Sequence, residues 1–117
     1  MSPSFDLQLD RDRHNPGDSV AGTVVVLEGG RSRSLEVQLG YIEETDDYLE
    51  VATSISTGRL HEGALEARAS FRFELALPPD GLPNFASRHG RLYWRLDVKS
   101  DERGRDSHEL RRIDVDL

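Results

Sequence analysis

Four histidines, two acidic clusters and one uncharged stretch are the places where this 117-residue sequence could do chemistry. His14, His61, His89 and His108 lie in four separate polar segments beside turn signals. A zinc site on one element needs ligands on one face, and no two of these histidines share a strand face at that spacing. They read as solvated loop histidines. "LDRDRHNPGD" brings together Asp10, Asp12 and Asp18, and "EETDD" brings together Glu43, Glu44, Asp46 and Asp47. Calcium takes roughly six to eight oxygens, which loops at one end of a β-fold can supply, but neither cluster has the Gly and closing Glu of an EF-hand. Solvated turns with some Asp–Arg pairing are the expectation, with no metal and no cofactor. The sequence holds no Gly-x-Ser-x-Gly, no Walker loop and no Gly-x-Gly-x-x-Gly opening a helix. Nothing in the pattern sets a titrating group beside a partner in a desolvated pocket, so no enzyme is expected.

Interaction chemistry has more support. "VATSISTG" (51–58) runs eight residues without a charge and is rich in β-branched types, with Val51, Thr53 and Ile55 as candidate contacts. Such a strand at a sheet edge is a template for pairing with another chain, and edges usually carry charge to prevent it. An interior strand paired on both sides is the first reading. The second is an edge that mediates homodimerisation or strand addition. Phe85 stands alone in a long loop, where a lone aromatic packs inward more often than outward. It is expected to plug the end of the core, with an exposed partner anchor as the alternative. Tyr93 faces away from Trp94, next to Arg91 and Arg95. That side reads as a salt-bridged outer face, with a small cationic–aromatic strip as the alternative.

The elements that must position these residues alternate with period two, and no segment sustains a helical period. "FDLQLD", "DSVAGTVVVLE", "LEVQLGYIE", "DYLEVATSIST", "ARASFRFELAL", "RLYWRLDV" and "LRRIDVDL" each set apolar residues on one face. Leu49, Val51 and Ile55 are in phase in the fourth, Leu92 and Trp94 in the sixth, and Ile113, Val115 and Leu117 in the last. Turn signals such as "HNPGD", "GGRS" and "DERGRD" separate them. Gly22, inside the second, marks a bulge or a close approach of backbones. Seven strands, each with one polar face, describe two antiparallel sheets packed face to face. The fold class is an all-β, immunoglobulin-like sandwich.

Two stretches carry a family pattern. "PGDSVAGTVVV" (16–26) followed by "RSLEVQLGY" (33–41), and then "FRFELALPPDGLPNFASRHGRLYWRLDV" (71–98), together resemble arrestin-like domains. The matches are a Pro-Gly-acid turn, a Val-x-Gly-x-Val strand, a strand ending Leu-x-Gly, a Phe-x-Phe-x-Leu-Pro stretch and a Leu-Pro-x-Phe loop. A Gly-x-Ile-x-Tyr-x-Leu strand follows, in which Leu92 and Trp94 take the Ile and Tyr positions. The resemblance implies one arrestin-like sandwich over residues 1–117. It also implies that the Pro-rich connection after Leu77 crosses from one sheet to the other, a span of about 10 Å that no two-residue turn can make. Pro78, Pro79 and Pro83 would stiffen that crossing. The family's paired lysines in the first strand have no counterpart in "FDLQLDRDR", and there is no Pro-Pro-x-Tyr motif. Phosphate sensing and ligase docking are therefore not carried over.

Formal charge is −7, with residues 1–60 holding eleven acids against five bases. That balance argues against nucleic acid and anionic membrane partners. There is no cysteine, no long apolar run, and no basic or apolar part of a signal peptide in "MSPSFDLQLD", so cytoplasm is the expectation. Arginine supplies nearly all the positive charge, consistent with codon bias in a GC-rich genome. The sequence thus points to a non-catalytic, arrestin-like adaptor or scaffold that binds another protein, related in fold to bacterial sporulation-control proteins. A homodimer through an edge strand is a further expectation. The alternative is a sugar-, calcium- or lipid-binding sandwich of the carbohydrate-module or C2 type.

Overall fold

Alternating side chains force each long segment to bury one face, and a computed structural model describing residues 2–116 shows how they do so. Ten strands form: β1 (Ser4–Leu9), β2 (Arg13–His14), β3 (Ser19–Glu28), β4 (Ser34–Thr45), β5 (Leu49–Ser56), β6 (His61–Glu62), β7 (Ser70–Ala76), β8 (Phe85–Ala86), β9 (Gly90–Asp101) and β10 (Ser107–Val115). A three-stranded sheet runs β1-β3-β7. The larger sheet runs β2-β10-β9-β4-β5, with β6 also on β4 and β8 also on β9. Every pairing is antiparallel except β2 with β10. The seven expected strands are all present, and the three added ones are two-residue pieces too short for a period to show. Leu117 lies outside the described residues. No helix among them is long and apolar enough to cross a membrane.

The Pro-rich connection leaves β7 in the small sheet and enters β9 in the large one, so it crosses between sheets as the resemblance implies. The core fills the space between: Phe5, Leu7, Val20, Val24, Phe73 and Leu75 from one sheet meet Leu35, Val37, Leu39, Trp94, Leu96 and Ile113 from the other. Trp94 and Tyr41 pair in the large sheet with ring centroids 4.9 Å apart at 46°. Both rings hide their polar ends under the crossing. Trp94 Nε1 donates to the Leu82 carbonyl (2.8 Å) and Tyr41 Oη donates to the Pro83 carbonyl (3.2 Å). A buried aromatic with a polar tip needs such a partner, and the crossing loop supplies two.

Gly22 marks a close approach of backbones. A Cβ there would overlap the Gln8 carbonyl oxygen and press to 3.2 Å from the Phe73 ring. His14 departs from the expected solvated loop. It is buried because β2 closes the end of β10 in parallel, with Val115 opposite His14. Its Nδ1 has no partner among the described residues. Burial, and then Arg11, hold its pKa below the usual 6.5, against the opposing pull of Asp18 and Asp12. His61 and His108 follow the polar reading more closely, the first against Ala64 O and the second on Asp97.

Two stability predictions follow from this packing. Gly22→Ala should cost about 1–3 kcal/mol in chemical denaturation, since strands β1 and β3 must part to admit a methyl group. A lowered histidine pKa means the unfolded chain takes up the proton first, so stability should fall as pH drops below about 6.5. Between about pH 7.5 and 5.5 the melting temperature of His14→Leu should decline less than that of the parent; equal slopes would exclude His14 as the titrating group.

Candidate interaction surface

β5 is an edge. β4 is its single sheet neighbour among the described residues, so the interior-strand reading of 51–58 is overturned. The reason is β4 itself: one side of it is filled by β9 along its whole length, and β5 and β6 share the other. Nothing in the connectivity returns a strand to lie beyond β5. Its residues are exposed along nearly the whole strand, with Ile55 alone half-buried.

The expected phase of Leu49, Val51 and Ile55 also fails, and a bulge explains it. Ile55 pairs with Leu39 and Thr53 with Tyr41, but Val51 then pairs with Ile42, leaving Ala52 as an extra residue. One extra residue reverses which face the side chains take. Ile55 and Thr53 therefore share the inner face with Leu39, whereas Val51 and Leu49 turn to the outer face beside Ile42 and Glu44. There Val51 leans over Gly40, where the missing side chain leaves room, and remains 47% exposed; Leu49 is 50% exposed.

Phe85 does not plug the core. It is 59% exposed, because Trp94 and Tyr41 already close that end. Asn84 determines where it goes. The Asn84 backbone N–H donates to Val115 O (3.0 Å), its Nδ2 donates to Ile113 O (2.7 Å), and its Oδ1 accepts the Trp94 N–H (3.2 Å). One side chain thus ends the β10 ladder on β9 and starts the β8 ladder, which sets Phe85 opposite Leu92. Phe85, Leu92, Glu43 and His89 border a shallow depression of about 270 Å³. Tyr48, exposed at the β4–β5 turn, donates from its hydroxyl to Glu43 (3.0 Å), which raises its pKa.

Tyr93 lies on the outer face as expected but is only 8% exposed, so it is no free anchor. Its hydroxyl donates to Glu44 (2.9 Å), the Arg112 guanidinium sits 4.9 Å from its ring centroid, and Arg91 approaches Glu44 at 3.8 Å. Burial, then the Glu44 bond, raise its pKa. The salt-bridged face and the cationic–aromatic strip are therefore one cluster. The structure brings Val51 together with Leu49, and Thr53 with Ile55, along one edge. Phe85 lies at the same end of the large sheet, across β9 and β4 from β5. Leu49, Tyr48 and Asn84 were missed, since neither a bulge nor a ladder exchange leaves a mark on hydrophobic periodicity.

Residues 34–58, the β4–β5 hairpin, contain six acids and no Lys, Arg or His. Its tip is tight, with the Thr45 N–H donating to Tyr48 O (2.8 Å) and Thr45 Oγ1 accepting from the Asp47 and Tyr48 N–H groups. Asp46 and Asp47 project there. Residues 43–47 are thus a strand end and a turn. No group of three His, Asp or Glu side chains among the described residues is placed to hold a metal ion.

A crossing between a three-stranded and a larger sheet, with the core so arranged, defines an arrestin-like β-sandwich. Among solved structures the chain is similar to Spo0M, a sporulation control protein from Bacillus subtilis. The match has a TM-score of 0.69 and 21% identity, and covers 100% of this chain and 50% of that one. The chain thus spans about half the length of the matched structure. No family model matches the sequence, and no curated protein does.

Asn84→Ala removes two side-chain hydrogen bonds and leaves the Trp94 N–H unpaired, at a cost of about 2–4 kcal/mol. Hydrogen exchange should show the Trp94 amide losing protection first; an unchanged rate there would mean that Asn84 does not hold the exchange of ladders.

Proposed function

We propose that this chain is a non-catalytic protein-interaction domain of the arrestin-like type, an adaptor or scaffold working in the cytoplasm. The observation that carries the reading is the β5 edge: eight residues with no neighbour on one side among the described residues, uncharged from Val51 onward, with Leu49 and Val51 half in water. Unpaired strand edges of this kind attract other chains, and proteins without a use for one usually blunt it with charge or proline. The fold supports the reading by analogy only, since one architecture hosts many activities. Its likeness to a sporulation control protein is in keeping with regulation rather than turnover. No observation favours the sugar-, calcium- or lipid-binding alternative.

Affinity capture from lysate of the source organism tests this. Folded bait should retain a discrete protein that Ser54→Pro or Phe85→Ala bait, verified as folded, releases. If the folded bait holds nothing beyond what an unrelated acidic sandwich holds, the reading fails.

A further inference from the structure

Resting on that reading, we propose that β5 takes up an extended basic segment of another protein as an added strand. The backbone geometry comes first. The Thr57 N–H donates to Val37 O (3.0 Å), so by alternation Ile55 and Thr53 turn their backbone groups to β4, while Ser54 and Ser56 turn theirs outward. Across the bulge, the Thr45 N–H to Tyr48 O bond sets Leu49 and Val51 outward in the same way. These four residues offer the N–H and C=O row on which a strand would be added, in two short registers separated by Ala52.

Side chains then state what kind of strand fits. Thr53 and Ile55 on one face and Val51 and Leu49 on the other favour β-branched or apolar neighbours in the incoming segment. Charge decides the rest. Of the six acids in residues 34–58, Glu44 alone is ion-paired, with Arg91. Glu36, Glu43, Asp46, Asp47 and Glu50 make no ion pair among the described residues, and Glu50 lies on β5 itself. Lys or Arg in the added strand would face Glu50 on β5 directly, with the unpaired acids of β4 one strand spacing further and Asp46 and Asp47 at the adjoining turn, all adding to a negative field on that edge. A second copy of this chain offers no such match. It carries −7, its own β5 has no base, and the next one along, Arg59, is held by Glu62 at 2.8 Å. Complementarity of charge therefore selects a basic partner over self-association.

Three capped eight-residue peptides test the assignment: one alternating Val and Lys, one with Glu in place of every Lys, and the Val–Lys peptide N-methylated at every second residue. Binding is followed by amide chemical shifts and calorimetry, with light scattering on the protein alone. The Val–Lys peptide should shift the Leu49, Val51, Ser54 and Ser56 amides, and should weaken about tenfold or more between about 0.05 and 0.5 M NaCl. N-methylation should weaken it by about tenfold or more, as should Ser54→Pro, which removes an outward amide that the fold does not use. Equal binding of the Glu peptide overturns the charge assignment. Equal binding of the N-methylated peptide shows diffuse attraction and overturns strand addition, even if Ser54→Pro does not fold. A dimer that Ser54→Pro returns to monomer makes the second copy the occupant and overturns the proposal. Failure here with lysate capture intact removes the basic strand alone; loss of both removes the interaction reading as well.

Discussion

The antiparallel ladder between β4 and β9, twelve residue pairs from Ser34–Asp101 to Thr45–Gly90, is the constraint that the remaining structure follows. It locks the two longest strands into one phase, so Leu35, Val37, Leu39, Tyr41, Trp94, Leu96 and Val98 share a face and leave the polar row outside. The small sheet has only that face to pack on. Because its own strands are six, ten and seven residues long, the ladder runs past what they can cover. Trp94 and Tyr41 stand near the end of the covered part, and the Pro-rich crossing closes over them. Beyond it the sheet continues to Leu92 and Glu43 with water on the inner face as well.

That layout separates the groups that carry stability from those left exposed. The groups whose loss would unfold the domain are deep in the ladder or under the crossing. Those available to another molecule lie on β5, at the hairpin tip and around Phe85, where removal of a side chain exposes little new surface. Electrostatics divides along the same line. On the outer face Arg91 pairs with Glu44 while Arg112 stacks on Tyr93, whereas the hairpin keeps its other acids unpaired among the described residues. The net −7 of the chain is therefore not spread evenly, and the hairpin presents a concentrated share of it to water.

Much of this was legible in the sequence. Period-two alternation marked all seven long strands, and the Pro-Gly turn, the Gly-containing second strand and the Leu-Pro-x-Phe loop pointed to the sandwich and to the sheet crossing. Leu92 and Trp94 face inward as their phase required. What stayed hidden depends on contacts distant in sequence. Phe85 is a lone aromatic in a loop, and burial statistics favour the core for such a residue. Only the prior occupation of that core by Trp94 and Tyr41, and the grip of Asn84 on Ile113 and Val115, send it outward. His14 sits in a stretch of charge and turn residues, and nothing local announces that β10 will pass beside it. Whether 51–58 would be an edge was a matter of strand order, which hydrophobic pattern does not encode.

The single residue Ala52 has an effect out of proportion to its size. Upstream of it every side chain in β5 sits on the side opposite to the one that Ile55 would dictate. Deletion of that one codon would leave Leu49 and Val51 on the outer face but join the two short rows of outward backbone groups into one, without altering any other letter of the gene. The edge that β5 presents is therefore open to revision by insertion and deletion as much as by substitution, with the hydrophobic centre left untouched.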